Sequence, residues 1–392
     1  MELRKIIDKT AGRFFFLLAS LSTVIIFLIF IFLFKESASL FGERQMEFGT
    51  RCVVHPDNPV KKISGDQLFD IQNEIISNWF ELGWRDHEII LVDDDAAEDM
   101  EEGTALAVAA SNPWAVGIVF EDDLEELMNS PERNSVREIE VGKISMGGFL
   151  FGKRWKPTAT PVNLFGMIPL IIGSMWVTIS AVLFAVPISL GCAVFVAEVA
   201  NDWTREILKP VIEILAGVPS VVFGFFGLLV VVPAVKSFFD INTGETALSG
   251  AIMLGIMCFP TIISISEDAI SSVPNSLREA SLAVGATRWQ TIYKVVLPAA
   301  RSGIVAAVIL GIGRAIGETM TVLMVTGNAP MIGRSILEPA RTLTATIASE
   351  LGEAPQNSSH YFALFGVASV LFFITIAINL TADIIINQSK KV

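Results

Sequence analysis

The sequence predicts an all-α polytopic membrane protein with six transmembrane helices and a small α/β insertion between the first two. Three observations support this fold class. The 392 residues are 52% hydrophobic, with a mean hydropathy of +0.59. Six apolar runs approach the ~20 helical residues that a hydrocarbon core requires. The block 41–148 is instead acidic, with 24 Asp and Glu against 8 Lys and Arg, whereas the rest of the chain carries a net charge of +3.

The first apolar run, 14–34, follows a positively charged start that contains Arg4, Lys5, Lys9 and Arg13. By the positive-inside rule, the segment 1–40 is a spanning helix whose N-terminus lies in the cytoplasm. A signal peptide cleaved near residues 37–39 is the alternative. Apolar cores of signal peptides have about 7–15 residues, whereas this run has 21, so we predict an uncleaved span.

The acidic block 41–148 is then extracytoplasmic. Apolar residues at helical spacing follow Ser64, a candidate N-cap, and short strands are predicted within 87–92, 115–120 and 137–144. These elements favour a small α/β module over disorder. The acidic runs 92–102 and 121–127 could hold Ca²⁺ but lack the ligand and glycine spacing of an EF-hand. We therefore predict a solvated surface and no metal site.

The remaining segment, 149–392, contains five apolar runs, at about 166–190, 211–233, 248–266, 302–326 and 361–386. Six spans place both termini in the cytoplasm. The basic residues agree with this topology, because the segment 267–301 and the tail carry Arg278, Arg288, Lys294, Arg301, Lys390 and Lys391. Spans two to four also contain Pro187, Pro219, Pro233 and Pro260. Such prolines are typical of broken helices in transporters, or of simple kinks for packing.

The sequence contains no motif for an enzyme or a resident cofactor. No P-loop for ATP is present, and His55, His87 and His360 form no convincing catalytic triad. Cys52, Cys192 and Cys258 have neither a disulfide framework nor metal-ligand spacing. No basic face indicates nucleic-acid binding. We therefore predict no catalytic residue and no metal.

A cytoplasmic stretch at 279–298, "EASLAVGATRWQTIYKVVLP", is predicted to form two short helices joined at Gly285, ending at Pro298. It is polar on one side and apolar on the other. From the residues alone, it could dock into a groove on a partner or lie on the lipid surface.

The same stretch resembles the EAA loop of ABC-importer permeases, which reads Glu-Ala-Ala, three residues, Gly, and then nine residues to Ile-x-Leu-Pro. Ser281 and Val295 depart from that pattern. The resemblance implies that the loop inserts into a cleft of a cytoplasmic ATPase and transmits its closure. The residues that this assigns to ATPase coupling are Glu279, Ala280, Gly285, Leu297 and Pro298.

The stretches "EILAGVPSVVFGFFGL", "GIGRAIGETMTVLMVTGNAP" and "RTLTATIASELGE" resemble phosphate-importer permeases of the Pst type, most closely the PstC subunit. The resemblance covers about 145–390 and the first span. It implies an inner-membrane permease for inorganic phosphate that works with an ABC ATPase dimer, a second permease subunit and an extracytoplasmic phosphate-binding protein. Two alternatives stay open. One is a permease for another oxyanion, such as molybdate, sulfate or phosphonate, and the other is a membrane-anchored sensor without transport.

Arg314 and Glu318 lie within the fifth apolar run, where an ionisable side chain is costly. On a continuous helix, two residues four apart share one face, with Cβ atoms about 6 Å apart. They could be a buried ion pair that ties helices together. Alternatively, Arg314 binds the passing anion with its planar fork, and Glu318 holds the guanidinium when no anion is present. Glu213 is a third candidate for the substrate path, or a side chain that reaches the cytoplasmic surface.

Overall fold

The computed structural model describes residues 2–46, 49–93, 104–129 and 134–389, and their contacts separate into two units. One unit consists of the chain up to Phe34, Ile168–Ala354 and the residues from Leu364 onward. The other consists of Lys35–Met167 and Pro355–Ala363, and therefore includes the described part of the predicted insertion 41–148. We call these the membrane unit and the module.

The module is built on a four-stranded sheet. Its strands, in sheet order, are β3 (Ile90–Val92), β4 (Ala115–Phe120), β1 (Thr50–Val54) and β5 (Arg137–Glu138). Strand β1 pairs antiparallel with β4 and β5, and β3 pairs parallel with β4. Two smaller sheets join β2 (Lys62–Ile63) to β6 (Glu140–Val141) and β7 (Trp155–Lys156) to β8 (Leu164–Phe165).

Both faces of the four-stranded sheet are covered. Side chains alternate along a strand, and in β1 Cys52 and Val54 face one apolar cluster whereas Val53 faces another. Trp79 lies fully buried in the first cluster. The chain's first helix is α1 (Glu2–Ala38). Within the described residues, the α-helices of the module are α2 (Gly65–Gln72), α3 (Ala105–Ser111), α4 (Glu121–Met128) and α5 (Met146–Phe151), and a 3₁₀ helix lies at Trp79–Leu82.

The elements predicted for the module are confirmed. Ser64 caps α2 in a capping box with Gln67, and the predicted strand 115–120 is β4. The acidic run 121–127 forms α4, which buries Leu124 while most of its carboxylates face solvent. Within the described residues no group of His, Cys, Asp and Glu could hold a metal ion. Residues 94–102 of the other acidic run, and Lys390 and Lys391, lie outside the described residues.

In the described part of the chain, five helices are long and apolar enough to cross a membrane. They are Gly12–Ala38, Ile168–Val199, Ser220–Phe239, Ala247–Ser271 and Ser359–Thr381. A sixth candidate is a bent pair, Arg288–Ala299 and Arg301–Gly317, whose parts meet at 70°. The predicted fold class, a polytopic helical membrane protein with a small α/β region, is confirmed.

The membrane unit contains the following helices after α1: α6 (Ile168–Val194), α7 (Asp202–Gly217), α8 (Ser220–Phe226), α9 (Val232–Phe239), α10 (Ala247–Ser271), α11 (Asn275–Ala283), α12 (Arg288–Thr291), α13 (Leu297–Ala299), α14 (Arg301–Gly317), α15 (Met320–Val325), α16 (Leu343–Glu350) and α17 (Ser359–Ser389). Single π-helical turns follow α6 at Phe195–Val199, α8 at Gly227–Val231 and α12 at Ile292–Val296.

Helix α10 is the central element of the membrane unit. It packs against α6, α14 and α7, and it is buried along most of its length. Close packing on α6 requires a glycine, because a Cβ atom on Gly255 would lie 2.5 Å from the ring of Phe184. The core around α10 is therefore set by side-chain size as well as by hydropathy.

The third span differs from its predicted range of 211–233. The helix α7 ends at Gly217, and a separate helical span begins at Ser220. Pro219 explains the break, because it lacks an amide hydrogen and disfavours helical geometry at the preceding residue. Val218 accordingly has extended angles, with φ −68° and ψ 128°.

Candidate functional site

The fifth span is broken at Glu318, so the prediction of one continuous helix over 302–326 is wrong. Helix α14 ends at Gly317, Glu318 is extended with φ −69° and ψ 133°, and α15 begins at Met320. Breaks at membrane depth are tolerated where other groups satisfy the freed backbone. Here the Thr344 hydroxyl donates to the Glu318 carbonyl at 2.7 Å, and the Thr321 hydroxyl donates to the Ser220 carbonyl at 2.9 Å.

Arg314 and Glu318 do not form the ion pair that the continuous helix implied. The Glu318 carboxylate accepts the backbone N–H of Thr321 at 3.2 Å, at the start of α15. The Arg314 guanidinium donates to the Thr261 hydroxyl of α10 at 3.4 Å, a long contact. No ion pair involves Arg314 within the described residues. The two side chains therefore have separate hydrogen-bond partners, although only four residues separate them.

The Arg314 side chain is exposed on this subunit, although it lies in an apolar helix. A charged group in a span almost always faces the interior of a bundle or a water-filled cavity, because lipid does not solvate it. Its place in the last turn of α14 is favourable for a cation, since the helix dipole is negative there. The local structure therefore presents an arginine that can bind an anion without first breaking an ion pair.

Glu213 is separated from this arginine. It is exposed on α7 and lines a small cavity of about 80 Å³ whose charged neighbours are Lys209, Glu267 and Asp268. Glu267 lies six residues beyond Thr261 on α10, or about 9 Å along the helix axis. The three residues predicted to line the substrate path thus lie at two separate places. Arg314 and Glu318 lie at the end of α14, whereas Glu213 belongs to a cluster nearer the C-terminal end of α10.

The predicted pair of short helices joined at Gly285 is confirmed. Helix α11 ends at Ala283, and Thr287 caps α12 in a capping box with Gln290. Gly285 has φ +86°, a left-handed conformation that side chains other than glycine rarely adopt. A Cβ atom there would meet nothing within 4 Å, so the backbone conformation alone requires glycine. We call residues 275–299 the coupling hairpin.

A side-chain hydrogen bond closes the coupling hairpin. The hydroxyls of Ser281 and Thr291 are 2.9 Å apart, one on α11 and the other on α12. Ser281 occupies the third position of the Glu-Ala-Ala triplet, where the family pattern has alanine. Its departure from that pattern therefore has a structural consequence, since alanine could not make this bond.

The coupling hairpin exposes an unusual number of apolar side chains. Val284 is 85% exposed, Trp289 65% and Tyr293 60%. Glu279, Ala280 and Pro298 are exposed beside them, whereas Leu297 is half-buried against the membrane unit. An exposed apolar patch on an otherwise polar segment is typical of an interaction surface. Of the predicted coupling residues, Gly285 and Leu297 shape the hairpin, and the other three lie on its surface.

Two buried carboxylates were missed at the sequence level. Glu198, at the end of α6, pairs with Arg278 at 2.6 Å, and Glu267 on α10 pairs with Lys209 at 2.8 Å. Arg278 was counted only as a charge that sets topology. The available signal was a carboxylate at the edge of each apolar run, which is costly unless it is paired.

The comparisons with known proteins define the class. The family described as "Binding-protein-dependent transport system inner membrane component" matches residues 185–390, more than half of the chain. The chain belongs to this family and is a permease subunit of an ABC importer. This assignment removes the alternative of a sensor without transport.

Two relatives and one solved structure illustrate the similarity. The chain is 44% identical over 231 residues to the "Probable ABC transporter permease protein YqgH" of Bacillus subtilis, covering 59% of this chain and 74% of the relative. It is 35% identical over 262 residues to the "Phosphate transport system permease protein PstC" of Xylella fastidiosa, covering 62% and 79%. An inward-facing structure of the MetNI methionine ABC transporter has 22% identity and a TM-score of 0.45, covering 57% of this chain and 97% of that one.

Proposed function

We propose that this permease translocates inorganic phosphate into the cytoplasm and that Arg314 contacts the anion on its way. The observation that carries this proposal is the exposed guanidinium of Arg314 within a span, with no carboxylate of the described residues paired to it. A guanidinium remains charged when buried, and its fork matches two phosphate oxygens. The similarity to PstC proteins, named as phosphate permeases, supports phosphate over other oxyanions.

Glu318 has a different role in this proposal from the one that the sequence indicated. Its carboxylate accepts the N–H of Thr321 in the first turn of α15, and its carbonyl accepts the hydroxyl of Thr344, so both groups stabilise the break in the span. The break ends α14 one turn after Arg314, and this geometry holds the guanidinium at the end of a helix. The anion therefore does not have to displace Glu318 from Arg314.

The exposed face of the coupling hairpin is proposed to dock on a cytoplasmic ABC ATPase dimer. The motivation is the apolar surface formed by Val284, Trp289 and Tyr293, together with the resemblance to the EAA loop. A second permease subunit and an extracytoplasmic phosphate-binding protein complete the proposed importer, with both termini of this chain in the cytoplasm.

Uptake of labelled phosphate tests the substrate. The chain is produced with its partner subunits in a strain that lacks its own phosphate importers, and unlabelled phosphate, sulfate or molybdate is added in excess. We expect only unlabelled phosphate to suppress uptake. Suppression by sulfate or molybdate at equal concentration would assign the permease to another oxyanion.

A further inference from the structure

A mostly buried ion pair joins α11 of the coupling hairpin to the π-helical turn that follows α6. Nη2 of Arg278 donates to Oε1 of Glu198 at 2.6 Å, and Nε donates to the same oxygen at 3.1 Å. The two side chains are 18% and 11% exposed. Arg278 also donates to the carbonyls of Ile270, at 3.0 Å, and Val273. The Arg278 side chain therefore joins α11 both to the π-helical turn after α6 and to the C-terminal end of α10.

A second buried carboxylate continues this network to α7. The Glu267 side chain is only 4% exposed. Its carboxylate lies 2.8 Å from Nζ of Lys209 and accepts the hydroxyl of Ser271 at 3.0 Å. Arg205 lies 3.8 Å from Glu267. Arg205 also donates to the carbonyls of Val196 and Ala197, which belong to the same π-helical turn as Glu198. Arg205 therefore connects the Glu267 carboxylate to the π-helical turn Phe195–Val199, which also carries Glu198.

From α7 the contacts lead to the break in the fifth span. Helix α7 ends two residues before Pro219, and α8 begins at Ser220. The Ser220 carbonyl accepts the hydroxyl of Thr321, and the N–H of Thr321 donates to Glu318. A continuous series of hydrogen bonds and one helix therefore connects the coupling hairpin to Glu318, four residues after Arg314.

We propose that Glu198 and Glu267 are positioning residues that make the coupling hairpin and α7 move as one body when the ATPase closes. This rests on the proposed function, because it takes the hairpin as the ATPase contact and Arg314 as the anion contact. Buried ion pairs are poor means of adding stability, since apolar side chains of similar volume do as well. They do fix orientation, and a charge-assisted network resists the sliding that an apolar contact allows. A movement of α11 is thereby carried to α7 and to the Ser220–Thr321 contact.

The test uses the complete importer in proteoliposomes. Glu198→Gln and Glu267→Gln are compared with Glu206→Gln, which removes an exposed carboxylate from α7. We expect phosphate uptake per ATP hydrolysed to fall about tenfold in the first two variants, within the range typical of coupling free energies, and to be unchanged in the control. Parallel loss of subunit abundance, uptake and hydrolysis, with the ratio unchanged, would overturn the proposal.

A second readout does not depend on phosphate. Spin labels are attached at Ser276→Cys on α11 and Trp203→Cys on α7, both exposed positions, after replacement of the three native cysteines by alanine. The distance between the labels should stay constant when the complex binds ATP, and should change in Glu198→Gln. A distance that changes with ATP in the unmodified network would overturn the proposal. If wild-type importer takes up no phosphate while the distance stays constant, the substrate assignment fails and the positioning role stands.

Discussion

Arg314 directs its guanidinium to the hydroxyl of Thr261, 3.4 Å away on α10, and not to Glu318 in its own span. At that distance the hydrogen bond is weak, and it leaves most of the five N–H donors of the guanidinium available. The contact orients the side chain without neutralising it. This relationship fits the proposed anion contact better than it fits one half of a structural ion pair.

Thr261→Val is expected to reduce phosphate uptake only by about threefold, because a hydrogen bond as long as 3.4 Å contributes less than the ~1.5–3 kcal/mol of a well-formed bond to a charged group. Initial uptake rates at subsaturating phosphate, normalised to subunit abundance, provide the measurement. Thr375→Val is the matched control, since the Thr375 hydroxyl donates to the carbonyl of Leu371 in its own helix. Complete loss of uptake in Thr261→Val would show that this bond, and not the free guanidinium, determines the site.

Glu318→Gln is expected to retain subunit abundance and most of the uptake, because an amide oxygen can still accept the N–H of Thr321. Glu318→Ala removes the acceptor and should destabilise the subunit by about 1 kcal/mol, the usual net contribution of one hydrogen bond. The midpoint of thermal unfolding in detergent compares the two variants. Equal destabilisation by both would mean that the negative charge of Glu318, and not its hydrogen bond, is required.

Gly285→Val is expected to disrupt the coupling hairpin, because φ +86° places a β-branched residue in a strained conformation. Gly285→Asn is the control, since asparagine tolerates left-handed angles better than other residues. Copurification of the ATPase with the permease should fall for the valine variant and persist for the asparagine variant. Normal copurification and uptake with valine would contradict the assignment of the hairpin as the ATPase contact.

Cys52 is expected to resist maleimide in the folded protein. It lies fully buried in β1, and burial, with the negative charge of Glu138, raises its pKa to about 12. The reactive thiolate is therefore scarce at pH 7 and still scarce at pH 9. Labelling of Cys52 should appear only after denaturation, and rapid labelling of the native protein at pH 7 would contradict the burial of β1.

An exposed thiol is required to determine by labelling on which side of the membrane the module lies. In Asp57→Cys, at a position whose side chain is 83% exposed, an impermeant maleimide should label intact cells. Labelling only after lysis would place the module in the cytoplasm and reverse the predicted topology.

Features that depend only on residues close together in the chain could be predicted from the sequence. The Ser64 cap, the strand Ala115–Phe120 and the turn at Gly285 are local, and each was predicted from residue type and spacing. The break at Glu318 could not be predicted in this way. Its stabilising partners are Thr344, 26 residues away, and, through Thr321, Ser220, 101 residues from that threonine. Without them a continuous helix is the reasonable expectation from hydropathy.

The ion pairs between helices could not be predicted from the sequence for the same reason. Glu198 and Arg278 are 80 residues apart, and neither position has a spacing that indicates the other. Hydropathy locates the spans, but the pairing of charges between them depends on how α6 and α10 pack. Arg314 was singled out because a cation in an apolar run is costly, and its role stays a prediction; the contact with Glu318 that the sequence indicated is replaced by one with Thr261.

Phosphate uptake by Arg314→Gln, measured in proteoliposomes that contain the complete importer, tests most directly whether Arg314 contacts the anion. Arg301→Gln is the matched control, because it removes an exposed arginine from the other end of the same helix. We expect Arg314→Gln to assemble normally and to take up no phosphate, and Arg314→Lys to recover little, since an ammonium lacks the bidentate fork. The control should transport as the wild type does. Wild-type uptake in Arg314→Gln, at equal abundance, would contradict the assignment of Arg314 to the substrate path.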